Sequence, residues 1–235
     1  LYTTPGMDSA TAVSQWNDLG AGALHLSQTT NTSQPFKFAL TFGAQPGIEF
    51  MGDRNVQFPF PEDRGHSMFL AASDRGITAG CFQIYVVGKT VNNDLVAANE
   101  AINPPSTLVG AKSPEAFNEF GLKGGVLRYH DGSLAWHKTE RGSGLNDGKS
   151  RMFWVQHQNA SLKLGVGTAQ QGTTDTGVGF DTTYVGWEGI GTGIYGYDKA
   201  KFTYGAIVVI PDSAIASTNL TKLNKWSMKW GTVAP

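Results

Sequence analysis

Apolar residues in this chain fall mainly in short alternating segments divided by clusters of Gly, Asn, Asp and Pro, the pattern of strands joined by turns. The clearest segment covers 126–137. Asp131-Gly132 at its centre is a two-residue hairpin signal, because a type I′ turn needs positive φ at both central residues. With the turn there, His130 pairs with Ser133, Tyr129 with Leu134, and Leu127 with Trp136. Leu127, Tyr129, Leu134 and Trp136 then share one face, and Val126, Arg128, His130, Ser133, Ala135 and His137 the other.

Other strands read in the same way. Phe202, Tyr204, Ala206, Val208 and Ile210 are placed on one face, and Ile207 and Val209 make the second half of that strand apolar on both sides. Leu162, Leu164 and Val166 alternate with Lys163 and Gly165. Arg151, Phe153, Val155 and His157 alternate with Met152, Trp154 and Gln156, and Asn159 is placed in the turn between these two strands. A helix is predicted over about 218–230, where Leu220, Leu223, Trp226 and Trp230 recur at spacings of three, three and four. Ser217 or Thr218 can cap it and Gly231 can end it, while Lys222, Lys225 and Lys229 lie outside the apolar stripe. Ser113-Pro114-Glu115 predicts a shorter helix over 113–120. No linker or repeat interrupts the pattern, so 1–235 is read as a single all-β domain, a sandwich or barrel.

Composition narrows the function classes. Charged residues are 16% of the 235, and the formal net charge is −1. That argues against nucleic acid as a partner, since phosphate neutralisation needs clustered Lys and Arg. A chain that is 40% hydrophobic and 11% aromatic can form a core, so disorder is excluded. The one cysteine, Cys81, rules out an intrachain disulfide framework and a Cys-rich zinc site; it sits in the apolar run 81–87 and is expected to be a buried thiol. No apolar run approaches the roughly 18 residues of a membrane span, and no secretory signal pattern is read. Three sequons begin at Asn31, Asn159 and Asn219, which in a Ser/Thr-rich chain is weak evidence of secretion.

Several motifs carry a family resemblance. Val13-Ser14-Gln15-Trp16-Asn17-Asp18-Leu19-Gly20-Ala21-Gly22, followed by Gln28 and Gln34-Pro35, resembles the opening of bacterial and phage concanavalin A-like (laminin-G-like) jelly-roll domains. Pro46-Gly47-Ile48-Glu49-Phe50-Met51-Gly52 is similar to that family's P-x-V-x-F-x-G strand, 82–89 to the strand after it, and Lys229-Trp230-Gly231 to the close of its terminal helix. The order is right and most of the chain is covered. Two departures stand out: the Ser of the family's S-G-N-G turn is missing after Asp18-Leu19, and an apolar residue within 205–209 replaces an acidic one. The resemblance implies a two-sheet antiparallel jelly-roll sandwich with a short C-terminal helix. It implies no reaction, because that fold hosts lectins, adhesion modules, virion parts and hydrolases. Family members often coordinate calcium near the rim. No loop here presents a dense acidic cluster, so calcium stays open and no cofactor or metal is assigned.

Catalytic patterns are scarce. Glycosidases need two carboxylates about 5–5.5 Å apart to retain configuration, or further apart to invert it. No E-x-D-x-x-E is present; Glu62-Asp63 and Glu115 with Glu119 are the closest groupings, read as solvated faces. In the predicted hairpin His130 and His137 share a face but stand roughly 13 Å apart at about 3.3 Å per residue, too far for one ion. Gly191-Thr192-Gly193-Ile194-Tyr195-Gly196 matches a dinucleotide fingerprint without its βαβ setting and is rejected. Asn92-Asn93-Asp94 and Asn146-Asp147-Gly148 are read as turns in preference to calcium loops.

The segment 177–198 is the most suggestive, with seven glycines among Phe180, Asp181, Tyr184, Trp187, Glu188, Tyr195, Tyr197 and Asp198. Rings stack on sugar faces and carboxylates accept from hydroxyls; the same composition suits packing between subunits. Trp187, Tyr184, Tyr195, Tyr197, Asp181 and Asp198 are the candidate ligand residues, with Arg128 and His130 as part of a polar sheet face for a glycan or acidic ligand. The expectation is a non-catalytic glycan-binding or adhesion domain, extracellular or on a virion surface, whose partner is a glycan or surface polysaccharide. One alternative is a structural virion protein, capsid-decorating or tail-fibre, acting through other proteins or self-association. Another is a polysaccharide hydrolase or lyase.

Overall fold

The alternating segments assemble into two antiparallel sheets packed face to face in a computed structural model, which describes residues 11–17, 19, 25–31, 34–42, 45–51, 68–69, 80–90, 106–110, 118–123, 125–131, 138–180, 189–190, 201–211 and 217–233. With strands numbered in chain order, the first sheet runs β1 (Thr11–Ala12), β4 (Phe36–Phe42), β5 (Gln45–Met51), β17 (Lys201–Pro211), β7 (Cys81–Thr90), β12 (Arg151–Gln158), β13 (Ser161–Val166) and β14 (Ala169–Gln170), with β15 (Asp175–Thr176) also on β13. The second runs β11 (Lys138–Arg141), β10 (Val126–Asp131), β9 (Asn118–Lys123), β8 (Ser106–Gly110), β16 (Gly189–Ile190), β6 (Met68–Phe69), β3 (Leu26–Ser27) and β2 (Gln15–Trp16). The expected all-β sandwich with one C-terminal helix is present. No helix among the described residues is long and apolar enough to cross a membrane.

Side-chain alternation supplies the core. Phe82, Ile84 and Val86 of β7, Phe153 and Val155 of β12, and Leu162, Leu164 and Val166 of β13 face Phe120, Leu122, Leu127 and Tyr129 of the second sheet. The opposite face of the first sheet is apolar as well. Tyr85, Val87, Met152 and Trp154 lie under Leu220, Leu223, Trp226 and Trp230 of the helix α1 (Ser217–Ser227) and the 3-10 turn (Met228–Trp230) that prolongs it. Gly231 closes the helix in the left-handed region at φ 64°.

Close backbone approach explains two glycines. Trp154 lies across the ladder from Gly165, where a Cβ would come within 1.9 Å of its Cζ2, and its indole N–H donates to the Gly167 carbonyl at 3.0 Å. Gly205 sits against the Trp230 indole at a register shift between Tyr204 and Ala206. This bulge corrects the expected shared face. Phe202, Tyr204, Ile207 and Val209 face the second sheet, while Ala206, Val208 and Ile210 face the helix, because one extra residue exchanges the two sides of a strand.

Local turn signals fare unevenly. Asn159 does occupy the β12–β13 turn, with φ 46°, and Ala160 follows at φ 61°, the type I′ pair. The Asp131-Gly132 turn is corrected. Asp131 stays extended and pairs with Asn118 of β9, and β10 pairs with β11 through His130↔Lys138 and Leu127↔Arg141. Pairing with β9 thus holds Asp131 in the ladder, and the return strand is offset by an odd number of residues, which exchanges its faces. Ser133, Leu134, Ala135, Trp136 and His137 lie outside the described residues. The helix over 113–120 is corrected where it is described: Asn118–Lys123 is strand β9, and alternation buries Phe120 and Leu122 between β8 and β10. Residues 113–117 lie outside the described residues. Cys81, the first residue of β7, is half-buried and not fully enclosed as expected.

The loop 142–150 is pinned at several points. The Leu145 N–H donates to the Gly125 carbonyl at 2.9 Å and the Gly148 N–H to Thr90 Oγ1 at 3.1 Å. Arg151 grips Asp147 through both terminal nitrogens, which holds the Asp147 carboxyl well below the usual carboxylate range.

Three outcomes follow from this packing. Ala160→Gly relieves a left-handed alanine and should raise stability by about 0.5–1 kcal/mol in denaturant melts. Gly165→Ala drives a methyl into the Trp154 ring and should cost about 1–3 kcal/mol in the same assay. Burial pushes the half-buried Glu49 carboxyl above its ordinary value of 4.5, with Lys89 opposing. A carboxyl raised in the folded state stabilises fully only below its unfolded value, and that contribution is lost as pH rises through the folded value. Glu49→Gln should therefore melt above the wild type at pH 7, and the gap should close below about pH 4.

Candidate functional site

Of the eight residues expected to bind a ligand, Asp181, Tyr184, Trp187, Tyr195, Tyr197 and Asp198 lie outside the described residues. Their segment is nonetheless anchored at points that are described. Val178 is buried in the core, and its carbonyl lies 3.0 Å from His157 Nε2; His157 Nδ1 lies 2.6 Å from the Gly80 carbonyl. Phe180 packs against Phe82 and the His157 ring at centroid distances of 5.6 and 6.2 Å, and Tyr129 joins the cluster at 6.1 Å from His157. The segment returns as Gly189–Ile190, strand β16, inside the second sheet. It therefore leaves from the end of the sandwich held by His157 and re-enters on the sheet that carries Arg128 and His130.

Arg128 sits in β10 between Leu127 and Tyr129, which face the core, so its own side chain belongs to the outward face of the second sheet. Its ladder partners are Gly121 of β9 and Glu140 of β11. His130, two residues on, is in register with Glu119 and Lys138. Gly121 falls between inward-facing Phe120 and Leu122 and also pairs with Thr107; nearby, Gly110 of β8 pairs with Gly189 of β16. Gly121 leaves one gap in the side chains beside Arg128, and Gly110 with Gly189 leaves another, three residues along β8 from the Thr107 that pairs with Gly121. Gly121 and Gly189 are buried and Arg128 is 7% exposed. The Arg128 Nε is buried with no hydrogen-bond partner.

Sequence reasoning missed a second polar feature, on the outward face of the first sheet. Tyr85 OH donates to Gln83 Oε1 at 2.5 Å and accepts from Gln156 Nε2 at 2.9 Å. Burial pushes the Tyr85 hydroxyl above its ordinary value of 10.0. The signal was available, since Gln83 and Gln156 are the amides inside otherwise apolar runs, and the ladder pairs them directly. Gln83 Nε2 is buried without a partner. Of the two loops read as turns, Asn146-Asp147-Gly148 places its carboxylate on Arg151 and Lys149; Asn92-Asn93-Asp94 lies outside the described residues. Among the described residues no three His, Cys, Asp or Glu side chains converge as a metal site.

No protein-family model matches the chain, and no curated protein sequence matches it. Solved structures do match in fold. One is an α-L-arabinofuranosidase of glycoside hydrolase family 54, soaked with a nitrophenyl arabinofuranoside, at TM-score 0.60 and 10% identity over 96% of this chain and 52% of that one. Another is the binding domain of Paraclostridial Mosquitocidal Protein 1, at TM-score 0.57 and 14% identity over 95% of this chain. The chain spans about half the length of each of these two, 52% and 54%. A third is domain 4 of an extracellular arabinanase from Geobacillus stearothermophilus, in complex with arabinotriose, at TM-score 0.51 and 13% identity over 82% of this chain and 92% of that one. At such identities the likeness is one of fold: this chain has the two-sheet β-sandwich that these proteins contain.

Proposed function

We propose that the chain is a non-catalytic glycan-binding domain that acts outside the cell. The observation that carries this reading is the match to the arabinotriose-bound arabinanase domain, which covers 82% of this chain and 92% of that domain. The described part of the candidate site supports it. Gly121, across the ladder from the buried Arg128, lies on the sheet into which the aromatic and glycine-rich segment returns, and Trp187 is the residue assigned to stack on a sugar ring. Two of the carboxylates with placed side chains are occupied within the fold. Asp147 is held in ion pairs by Arg151 and Lys149, and Glu49 lies half-buried in the field of Lys89.

The test is an oligosaccharide array probed with the full chain, followed by titration calorimetry on any hit. The expected result is binding of at least one oligosaccharide with no release of reducing sugar. Trp187→Ala should weaken binding about tenfold or more at an unchanged melting temperature. Absence of binding across the array, or cleavage of the bound sugar, would overturn the reading.

A further inference from the structure

His157 is 1% exposed and sits at the joint where the aromatic and glycine-rich segment leaves the sandwich. Its Nδ1 lies 2.6 Å from the Gly80 carbonyl and its Nε2 3.0 Å from the Val178 carbonyl. Both partners are backbone oxygens, which only accept. A neutral imidazole has one N–H and one lone pair, whereas an imidazolium has two N–H groups. The neutral ring therefore bonds one carbonyl and turns its lone pair on the other, and only the charged ring bonds both. Burial makes the difference count, because a carbonyl left facing a lone pair has lost its water and gained no donor.

The rest of the joint is arranged around the ring. Phe82 stacks on it at 5.4 Å and 7°, within the range at which a phenyl face attracts a cation. A Cβ at Gly80 would stand 3.2 Å from the Cβ of Phe180 and 3.4 Å from His157 Cε1, so a side chain there would crowd both. The Val178 N–H donates to the Ala160 carbonyl at 3.1 Å, which ties Val178 to the β12–β13 turn on one side and to the ring on the other. From β10 the titratable Tyr129 faces the ring, at 6.1 Å; β7, β13 and the segment bring Phe82, Leu162 and Phe180, which do not titrate. Cys81 and Lys163 alternate to the other face of the first sheet. Charged residues close in register are Asp175 of β15, across the ladder from Leu162, and Asp131, two residues beyond Tyr129 on β10. We infer that His157 is a proton-controlled clasp on the root of the segment 177–198. Protonated, it ties Val178 to Gly80 through two N–H···O bonds; neutral, it gives up one of them. The closed clasp holds a proton that the opened segment gives up more readily, so its contribution is full in acid and is lost as pH rises. Imidazoles change charge between about pH 5 and 8. The clasp acts in the free protein, whether or not the ligand is a glycan.

The test uses the full chain without ligand. Ring nitrogen chemical shifts count the protons on His157, and exchange protection of the Val178 amide, taken relative to an unstructured peptide at each pH, reports the hold on the segment. Expected are two protonated ring nitrogens at about pH 5.5 and one at about pH 8. Val178 protection should fall about tenfold over the same interval, the size of one hydrogen bond to a charged group. His157→Gln, which cannot change charge, should show no such fall, and Asp131→Asn and Asp175→Asn should keep it. A ring that stays neutral throughout would overturn the inference, as would a wild type whose Val178 protection is constant, or an equal fall in the wild type and His157→Gln. Loss of the fall in either Asn variant would overturn it in favour of a carboxylate–histidine pair. Ring and amide are both read on the wild type, so the outcome does not depend on the folding of any variant.

Discussion

The strands at the middle of the first sheet are apolar on both faces, and this obliges the chain to cover that sheet twice. Val86 and Ile84 turn to the second sheet while Tyr85 and Val87 turn away from it; Phe153 and Val155 are opposed in the same way to Met152 and Trp154. Each such side chain left in water would forfeit about 1.5–3 kcal/mol. The second sheet covers one face and the C-terminal helix the other. An eleven-residue helix, Ser217–Ser227, is too short to persist alone. It is held by its apolar stripe and by a tie at its end, where Ser150 Oγ donates to the Trp230 carbonyl and the Val233 N–H donates to the Ser150 carbonyl. Glycine makes the fit close. Trp154 lies on Gly165 and Trp230 on Gly205, so the two indoles nearest the helix contact sit on backbone and not on side chains.

Much of this architecture was legible because it depends on periodicity. Alternation with period two exposes β7, β12, β13 and β17, and spacings of three and four expose the helix together with its Gly231 stop. Features fixed by partners distant in sequence were not legible. Asp131-Gly132 is a strong turn signal in isolation, but β9 pairs along the whole of β10 and keeps Asp131 extended. Ser113-Pro114-Glu115 reads as a helix start, yet Phe120 and Leu122 gain more from the core than the local signal offers. The bulge at Gly205 changes faces at a residue with no side chain, so the apolar string reads identically on either side of it. In the candidate site, Arg128 stood out in sequence as a charge in an alternating strand, but nothing in sequence marked it as enclosed. Burial of that strand's outward side is visible only in three dimensions, where Gly121 and Gly189 on the same sheet are buried as well.

The two sheets are thereby assigned different work. On the first, the outward face is spent on the helix, and its buried polar groups are tied to one another: Gln156 donates to Tyr85 and Tyr85 to Gln83. Such a network fixes the packing of a two-sided sheet and leaves only the Gln83 amide nitrogen without a partner among its three members. No helix among the described residues lies on the second sheet, whose outward face instead carries glycines and a charge. An unpaired amide costs about 1–3 kcal/mol, an amount a sandwich of this size can absorb as imperfect packing. For the buried guanidinium of Arg151 on the first sheet the chain supplies the carboxylate of Asp147. Arg128, buried to the same degree on the second sheet, has glycine across one ladder and Glu140 across the other.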